Sequence, residues 1–380
     1  MKTYSVAIIT NIITPYRIPC FNEVAKKSDF KLKVYFMAKM ESNRQWNIDF
    51  EEINFDYTVL KGFHLSLKED YELHLNIFFP HFILNRFDVI ALGGYDQPIL
   101  WEALMYAKLF KKKTILFGES TPYDIRKFKS LWIKKAKRFF ISKIDYFLPP
   151  GRAAEEYFKS LGAPPERIII APFSTDHDFF HQQYVRLREK KPQIKREKSY
   201  PEITILFVGR LVWYKGIRYL LEAYGKLEKE MSNIGLVLLG DGPMMEECRD
   251  FVKRYNLKNV FFQGFIHQKD LPIYYTASDI FVLPSLSETW GIVINEAMEF
   301  GLPIITTNRV GAAYDLVKEG INGFIIPAGN TYALYNALKK LCMDKQLRKK
   351  MGENSLMLIK NHTPQKWAES FINTVIKALS

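Results

Sequence analysis

Hydrophobic runs alternate with longer segments of mixed character along the whole chain. The runs of the first half are YSVAIIT, LKVYFMA, VIALGG, TILFGE, YFLPP and RIIIAPF, and those of the second half are ITILFVG, IGLVLLG, NVFFQGF, IFVLPS, LPIITT and GFIIPA. Consecutive Ile, Val, Leu and Phe without polar alternation are typical of strands buried on both faces of a parallel sheet. Because helical patterns such as GIRYLLEAYGKLEKE lie between the runs, the sequence predicts an α/β fold of doubly wound parallel sheets.

The alternation of strands and helices extends over enough chain for more than one domain. A chain of 380 residues commonly folds as two domains. Between the halves lies VRLREKKPQIKREKSYPE, residues 185–202, which is charged and contains two prolines. We predict that this segment is a linker between a first domain over residues 1–184 and a second over residues 203–363.

Composition restricts the class of protein. The opening MKTYSVAIIT lacks the pattern of a signal peptide, and no run approaches the roughly 18 uncharged apolar residues of a membrane span. Cys20, Cys248 and Cys342 are far apart in the sequence, which suits a reducing compartment. The 54 basic residues against 41 acidic ones give a net charge of +13. This excess indicates an anionic partner such as nucleic acid, an anionic membrane or a phosphorylated ligand.

Parallel α/β domains bind ligands at the carboxyl ends of their strands, and the second half carries three motifs there. In ILFVGRLVWYKG a buried strand ends at Val208, Gly209 permits a tight turn, and Arg210 and Lys215 follow. A guanidinium and an ammonium suit the oxygens of a diphosphate, although two solvated surface cations would have the same spacing. In VLLGDGP a glycine turn brackets Asp241. Such a turn allows a ligand to approach the backbone; the alternative is that Asp241 caps the next helix.

The third motif, SETWGIVINEAMEFGLPII, places two carboxylates around an apolar stretch. Glu288 is expected in the turn after a strand, and Glu296 about a turn and a half into the following helix. The free N–H groups at the start of that helix form a natural phosphate site. A nucleotide diphosphate could lie there, with Glu296 reaching outward to the ribose and Glu288 beside the sugar. The alternative is that both glutamates simply face water.

Together these motifs resemble those of the family 4 glycosyltransferases. The corresponding elements are E-x7-E at Glu288 and Glu296, G-R-x4-K-G at residues 209–216, the G-x-G-P turn at GDGP, and the strand before the ribose at VFFQGFI, which ends at Ile266. The match is specific over residues 203–330 and loose in the first half. The resemblance implies the GT-B fold, in which two doubly wound Rossmann-like α/β domains face a central cleft. It also implies that the last helix, residues 364–380, completes the first domain.

The resemblance further implies a function. Members of the family transfer a sugar from a UDP- or GDP-linked donor to a lipid-linked or saccharide acceptor with retention of configuration, without a metal or a cofactor. The implied catalytic residues are Glu288, Arg210 and Lys215. The implied donor-binding residues are Gly209, Arg210, Lys215, Asp241, Ile266, Glu288, Thr289, Trp290, Gly291 and Glu296. We expect an enzyme of cell-surface polysaccharide or glycolipid synthesis. The alternative is a sugar-nucleotide epimerase or a non-catalytic nucleotide-sugar-binding protein on the same fold.

In the first half the sequence departs from the family pattern. Family members often carry a histidine at a strand end near the donor sugar, whereas here TILF is followed by Gly118, Glu119 and Ser120. Either Glu119 replaces that histidine, or the sugar is unusual at this position. Tyr16 and Arg17 follow the first strand and are expected on the acceptor side, although a structural role fits them equally well.

A D-x-D sequence raises the question of a metal. Asp176-His177-Asp178 has the spelling of a motif that holds a metal in other glycosyltransferases. It lies where family 4 chains have an ordinary connecting segment, and no histidine or cysteine cluster accompanies it. No metal site is therefore expected.

A basic amphipathic stretch occupies residues 126–143, RKFKSLWIKKAKRFFISK. Its apolar residues recur at helical spacing and are Phe128, Leu131, Trp132, Ala136, Phe139 and Phe140. This pattern is typical of helices that lie on a membrane surface; the alternative is a core stripe with solvated lysines. No recognised nucleic-acid-binding motif accompanies it. We therefore expect a cytoplasmic enzyme that binds no nucleic acid and contacts anionic membrane through this segment, with Phe128, Trp132, Phe139 and Phe140 entering the headgroup region.

Overall fold

The computed structural model describes residues 3–42, 44, 46, 48–68, 71–76, 86–125 and 130–380. The chain divides into two compact units, Met1–Asp176 together with His362–Ser380, and His177–Asn361. Each unit contains a parallel sheet of six strands. This is the α/β architecture that the unbroken hydrophobic runs predict, and the strand order in each sheet is that of a doubly wound fold.

The first unit has the strand order β3-β2-β1-β6-β7-β8. These strands are β1 Tyr4–Ile12, β2 Phe30–Ala38, β3 Asp56–Val59, β6 Val89–Leu92, β7 Lys113–Phe117 and β8 Tyr146–Leu148. A separate antiparallel hairpin consists of β4 Gly62–Lys68 and β5 Tyr71–Asn76. The helices are α1 Ile18–Ala25, α2 Pro98–Leu109, α3 Leu131–Ser142, α4 Arg152–Leu161 and α14 Pro364–Leu379, with 3-10 turns at Phe50–Glu52 and Pro165–Arg167.

The last helix of the chain, α14, packs in the first unit. Trp367 stacks on Phe371 with ring centroids 5.2 Å apart and meets Phe21 of α1 edge-on at 5.6 Å. All three aromatic side chains are buried in one cluster with residues of β1 and β2. Because aromatic side chains bury large apolar areas, this helix supplies a substantial part of the core on one face of the sheet.

The second unit has the strand order β11-β10-β9-β12-β13-β14. Its strands are β9 Ile203–Val208, β10 Ile234–Leu239, β11 Val260–Gly264, β12 Ile280–Leu283, β13 Ile304–Thr307 and β14 Gly323–Ile326. Its helices are α5 His177–Leu187, α6 Lys191–Glu197, α7 Ile217–Glu228, α8 Met245–Arg254, α9 Leu271–Ala277, α10 Val293–Glu299, α11 Ala313–Leu316, α12 Thr331–Met343 and α13 Lys345–Ile359. The 3-10 turns are Arg188–Lys190, Trp213–Lys215 and Gln268–Asp270. All six hydrophobic runs of the second half are therefore confirmed as strands.

The segment predicted as a linker, residues 185–202, is instead part of the second unit. It is largely helical, and three of its apolar side chains, Leu187, Ile194 and Tyr200, are buried, whereas Val185 is exposed. Lys191 lies 2.8 Å from Asp279 at the start of β12, and Lys195 forms an ion pair with the same carboxylate. Burial alone would raise the pKa of Asp279, but the two ammonium groups outweigh it and hold that pKa below its usual value. The charge that suggested a solvated linker therefore fastens this segment to the sheet.

Two features of the first unit differ from the hydrophobic pattern. RIIIAPF does not form a strand; Ile168 makes only an isolated bridge to Phe147 of β8. Conversely, β3 and the hairpin β4–β5 lie in a region for which no strand was predicted. The segments of β3 and of the hairpin are too short or too polar to resemble a buried parallel strand, whereas RIIIAPF has the hydrophobic pattern without the pairing.

Two other observations bear on the cellular setting. The three cysteines are buried and unpaired. Among the described residues, no helix combines the length and the apolar character that crossing a membrane requires.

Candidate functional site

Glycines bring the backbone close together at the carboxyl ends of β9, β10 and β11. The Gly209 N–H donates to the Leu239 carbonyl at 2.9 Å, and the Gly240 N–H donates to the Gly264 carbonyl at 2.7 Å. A Cβ at Gly240, where φ is +131°, would lie 2.0 Å from the Gly209 carbonyl oxygen. Only glycine fits such an approach, so this edge of the sheet presents backbone rather than side chains.

The loop after β9 places a cation against the first glutamate of the E-x7-E motif. Gly216 has φ +72°, and a Cβ there would lie 2.1 Å from the carbonyl oxygen of Pro284 at the end of β12. The loop is therefore pressed onto the end of β12. Lys215, one residue earlier, forms an ion pair with Glu288, and both side chains are largely shielded from solvent. Arg210 lies in the same loop and is partly exposed.

The backbone around Glu288 is fixed by the loop after β13. The Glu288 N–H donates to the Arg309 carbonyl at 3.0 Å, and the Gly311 N–H donates to the Glu288 carbonyl at 3.2 Å. A Cβ at Gly311 would lie 2.0 Å from the Thr289 carbonyl oxygen. Trp290 is buried, and its indole N–H donates to Asn295 Oδ1 at 2.9 Å. The ring of Trp290 therefore belongs to the core of the second unit.

Gly291 completes this turn in a left-handed conformation. Its φ is +96°, and a Cβ there would lie 2.9 Å from a methyl carbon of Leu283. Helix α10 begins two residues later, at Val293, so Glu296 lies in its first turn. The sequence placed Glu296 slightly deeper in a helix that starts earlier.

Glu296 does not reach outward in the structure, because its carboxyl group is buried. The Tyr275 hydroxyl of α9 donates to Glu296 Oε2 at 2.6 Å. Burial raises the pKa of Glu296 to about 7, and the hydrogen bond from Tyr275 opposes part of that rise. A carboxyl group with such a pKa changes charge near neutral pH, which is common among groups at functional sites.

A second buried carboxylate lies on the same helix. Glu299 Oε1 forms a hydrogen bond with His177 Nδ1 at 2.6 Å, and among the described residues its other oxygen has no hydrogen-bond partner. His177 is the first residue of α5. This pair attaches α10 to the start of the second unit.

The other residues of the predicted donor site lie at the same strand ends. Asp241 Oδ1 accepts the Gly242 N–H at 2.7 Å. The next helix, α8, begins at Met245 with Met244 as its N-cap. Asp241 is therefore not a helix cap. Ile266 is partly exposed just after β11.

In the first unit, the three predicted acceptor-side residues lie near one another at the strand ends. Arg17 Nη2 lies 2.8 Å from Glu119 Oε1, and the guanidinium sits over the rings of Phe117 at 5.0 Å and Phe173 at 5.5 Å. Tyr16 also packs on Phe173, with centroids 5.4 Å apart. Burial raises the pKa of Tyr16, and the charge of Glu119 adds to the rise. Arg17 and Glu119 thus neutralise each other beside an aromatic surface.

Two residues on this edge were missed by the sequence analysis. The Arg44 guanidinium lies 4.9 Å above the ring of Trp46, and Trp46 meets Tyr16 edge-on at 6.0 Å. Both follow β2, whose carboxyl end lies beside that of β1. The sequence did carry a signal for them, because Arg44 and Trp46 are a cation and an aromatic residue in the loop after a predicted strand. In the second unit, the sequence analysis also missed Tyr275 and Gly311. Gly311 could have been found, because it is a glycine in the loop after a predicted strand.

The basic stretch is partly described. Residues 126–129, including Phe128, lie outside the described residues, and α3 covers Leu131–Ser142. Trp132 and Phe139 are exposed, with the ammonium of Lys135 lying 5.0 Å above the Trp132 ring. Phe140 is fully buried and packs on Trp101 of α2 at 4.9 Å. The expectation that Phe140 enters a headgroup region is therefore wrong, because that side belongs to the core.

The D-x-D sequence does not gather ligands around one point. His177 of the motif is engaged with Glu299. Over the described part of the chain, no group of three or more His, Cys, Asp or Glu side chains is arranged to hold a metal ion.

Comparison with known proteins shows that the chain is similar to glycosyltransferases. The family model for glycosyl transferases group 1 matches residues 188–356. The chain is 30% identical to the alpha-D-kanosaminyltransferase of Streptomyces kanamyceticus over 212 residues, which is 54% of this chain and 53% of that protein. It is 25% identical to the O-antigen chain mannosyltransferase C of Escherichia coli over 307 residues, which is 79% of this chain and 73% of that protein. Of three curated relatives at 30 to 33% identity, the chain spans only 39 to 53% of the length.

Solved structures match over the whole chain. A glycosyltransferase from Rickettsia africae has a TM-score of 0.78 at 14% identity, with 100% of both chains covered. The Anabaena HepE protein, in complex with UDP and glucose, has a TM-score of 0.71 at 17% identity, with 98% of this chain and 99% of that one covered. The fold is therefore GT-B, with one Rossmann-like domain in each unit, as the sequence predicted.

The raised pKa of Glu296 predicts an unusual pH dependence of stability. From about pH 4.5 to 7 the folded chain holds a proton that an unfolded carboxyl group releases, so stability falls as the pH rises through this window. A shift of this size corresponds to roughly 3 kcal/mol. Glu296→Gln, which keeps an acceptor for Tyr275, should therefore be more stable than the parent by up to that amount at alkaline pH and about equal near pH 5.

Urea unfolding of the parent and of Glu296→Gln, at pH 5 and at alkaline pH, measures this difference in the free energy of unfolding. Glu247→Gln, on the exposed surface of α8, is the control and should show no pH-dependent difference from the parent. Equal effects of Glu296→Gln at the two pH values would contradict the assignment.

Proposed function

We propose that this chain is a group 1 glycosyltransferase, which transfers a sugar from a nucleotide diphosphate sugar to a saccharide or lipid-linked acceptor with retention of configuration. The ion pair of Lys215 with Glu288 carries the proposal. It joins the loops after β9 and β12 at a sheet edge where glycines expose the backbone. A cation beside an acid in such a place can serve both the diphosphate and the sugar of a donor.

In this proposal Arg210 and Lys215 bind the diphosphate of a UDP- or GDP-linked donor. In the free chain the charge of Lys215 is satisfied by Glu288. An arriving diphosphate offers Lys215 a stronger anion, which leaves Glu288 available for hydroxyl groups of the sugar. The two cations then stabilise the charge that develops on the diphosphate as it leaves. A leaving phosphate oxygen accepts the proton of the acceptor, so the new bond forms on the face from which the diphosphate departs.

Glu296 is proposed to bind the ribose of the donor. Ribose hydroxyls donate hydrogen bonds, and such donors favour the carboxylate form. Donor binding should therefore lower the pKa of Glu296 from its value of about 7 in the free chain. Thr289, Trp290 and Gly291 would contribute backbone contacts, and Asp241 and Ile266 would line the same site.

The acceptor is proposed to meet Tyr16, Arg17 and Glu119 in the first unit. The aromatic rings of Tyr16 and Phe173 offer flat faces, and the Arg17–Glu119 pair offers both hydrogen-bond donors and acceptors. Sugar hydroxyls can use both. Relatives named for O-antigen, colanic acid and capsular polysaccharide synthesis support a role in cell-surface polysaccharide synthesis.

We also propose peripheral attachment to the cytoplasmic face of an anionic membrane through α3. Trp132 and Phe139 are exposed, and the ammonium groups of Lys135 and Lys143 lie over their rings. Apolar rings under a layer of cations suit the headgroup region of an anionic bilayer.

Replacement of Arg210 or Lys215 by alanine should lower the rate of sugar transfer and weaken donor binding. Arg210→Ala and Lys215→Ala are each expected to lower kcat/KM by on the order of 100-fold, because each removes a charged group that stabilises the leaving diphosphate. The measurement is sugar transfer from UDP- and GDP-sugars. Lys229→Ala, an exposed cation after α7, should have no effect.

Two outcomes would overturn this assignment. Wild-type kcat/KM in both folded variants would remove the cations from the site. Donor turnover without any acceptor, yielding an epimerised nucleotide sugar, would favour an epimerase instead.

Transfer should not need a divalent cation. Arg210 and Lys215 supply the positive charge that a metal provides in other enzymes of this reaction. The activity of dialysed protein is therefore expected to persist in excess EDTA. Loss of activity that Mg²⁺ or Mn²⁺ restores would contradict this expectation and would point to Asp176 and Asp178.

Reversal of charge on α3 should weaken membrane binding. Each cation near an anionic bilayer contributes about 1 kcal/mol, so Lys134→Glu, Lys135→Glu and Lys143→Glu together should lower binding to anionic vesicles by well over tenfold. The control reverses three exposed lysines of α13, Lys345, Lys349 and Lys350. Equal losses in both triple variants in co-sedimentation would mean that net charge, and not α3, governs binding.

A further inference from the structure

The hairpin β4–β5 has its polarity inverted relative to an ordinary surface hairpin. On one face Phe63 pairs with Leu75 and Leu65 with Leu73, while on the other His64 pairs with His74 and Ser66 with Glu72. Phe63, Leu65, Leu67 and Leu75 are 80%, 48%, 52% and 41% exposed. Side chains that alternate along a strand occupy opposite faces, so the apolar face of this hairpin points to solvent.

The polar face is the one that holds the hairpin to the first unit. His74 is fully buried, and its Nδ1 lies 2.8 Å from Nδ1 of His64. The buried Asn76 amide donates to the Met37 carbonyl at the end of β2 at 2.9 Å. The Gln97 side chain accepts the His74 N–H and donates to the Glu72 carbonyl, each at 2.9 Å. His74 and Asn76 thus attach β5 by its polar side at the carboxyl edge of the parallel sheet, while His64 and Ser66 of β4 are exposed.

The outward face is too apolar to be incidental and too small for a stable protein interface. Its exposed side chains present on the order of 400 Å², which is at the level of the largest patches on soluble monomers. A stable interface between two proteins buries about 800 Å² on each partner. A second copy of the chain would therefore need further contacts, whereas a bilayer accepts a few apolar side chains on a small surface.

The surroundings of the hairpin also favour a bilayer. Lys61, immediately before β4, is exposed. Gln97, which binds β5, directly precedes α2, and Trp101 of α2 stacks on Phe139 of α3 with centroids 6.4 Å apart. A chain of contacts therefore leads from the hairpin to the basic, aromatic surface of α3.

We propose that the outward face of β4–β5, formed by Phe63, Leu65, Leu67, Leu73 and Leu75, inserts into the hydrocarbon boundary of a membrane. The inference rests on the proposed function in one respect: the ligand brought close is a lipid-linked acceptor. Such an acceptor has its apolar part in the bilayer and its saccharide at the surface. A hairpin with its apolar face in the bilayer and its polar face on the carboxyl edge sets the first unit's acceptor-side loops at that boundary.

A fluorescent label tests the insertion directly. The three native cysteines are buried, so Leu65→Cys provides a single accessible thiol for an environment-sensitive dye. We expect a blue shift of the emission when vesicles of phosphatidylcholine with phosphatidylglycerol are added. The control is Ile321→Cys, which replaces an apolar residue of the second unit that is similarly exposed, at 52%, and it should show no shift.

Partition of the unlabelled protein gives an independent measurement. Leu65→Glu with Leu67→Glu should lower binding to the same vesicles at least tenfold, and the loss should persist at high salt, because an apolar contribution is not screened. The lysine variant of α3, by contrast, should differ from the parent only at low salt. The matched control, Ile321→Glu with Met357→Glu, changes two exposed apolar residues of the second unit and should bind like the parent.

Several outcomes would overturn the proposal. An unshifted dye, or parental binding by the folded hairpin variant, would mean that the face does not meet lipid. A blue-shifted dye in buffer alone would mean that the face is covered in the free protein, and a change of oligomeric state in light scattering would assign it to a second copy. Donor-dependent thermal stabilisation in the same samples separates this failure from that of the proposed function, since donor binding uses the second unit.

Discussion

The second unit depends on one close backbone approach, that of Gly216 to the carbonyl of Pro284. Any side chain at position 216 would collide with that oxygen at 2.1 Å, so glycine alone allows the loop after β9 to reach the end of β12. The approach brings Lys215 to Glu288 although 73 residues separate them in sequence. The loop after β13 then fixes Glu288 through its backbone. The absence of a side chain at Gly216 therefore allows Lys215 and Glu288 to form their ion pair.

Helix α10 carries two buried acids, Glu296 and Glu299, and their burial costs free energy. Glu296 and Glu299 are both buried, and burial of a carboxylate is costly unless it is paired or protonated. Glu299 is matched by His177, and Glu296 by the Tyr275 hydroxyl and by a pKa of about 7. A hydrophobic residue of similar size would cost less. Two buried acids on one short helix therefore stay possible only because His177 and Tyr275 lie beside them.

The parts of the fold that the sequence could predict are those in which one physical rule dominates. Unbroken runs of Ile, Val, Leu and Phe favour a parallel strand, and all six strands of the second unit follow from them, whereas RIIIAPF in the first unit is an exception. The segment 185–202 could not be predicted, because its lysines look solvated until Asp279 is brought beside them by the fold. The sequence could also predict that the motif residues lie together, because each follows the carboxyl end of a parallel strand. The partner of Glu296, Tyr275, was not, because a hydrogen bond between two helices has no local sequence signature.

The hairpin shows the limit of pattern reasoning most clearly. FHLSL and ELHLN alternate strictly, and alternation states only that the two faces differ. The usual rule would bury Leu65 and expose His74, and the structure has the reverse. The reason lies outside the hairpin: the Met37 carbonyl at the end of β2 accepts a hydrogen bond from the buried Asn76 amide, and a register shifted by one residue would put a leucine in place of Asn76. Gln97 holds the backbone of β5 through the His74 N–H and the Glu72 carbonyl. Satisfaction of buried polar groups therefore sets the register, and the register sends the leucines outward.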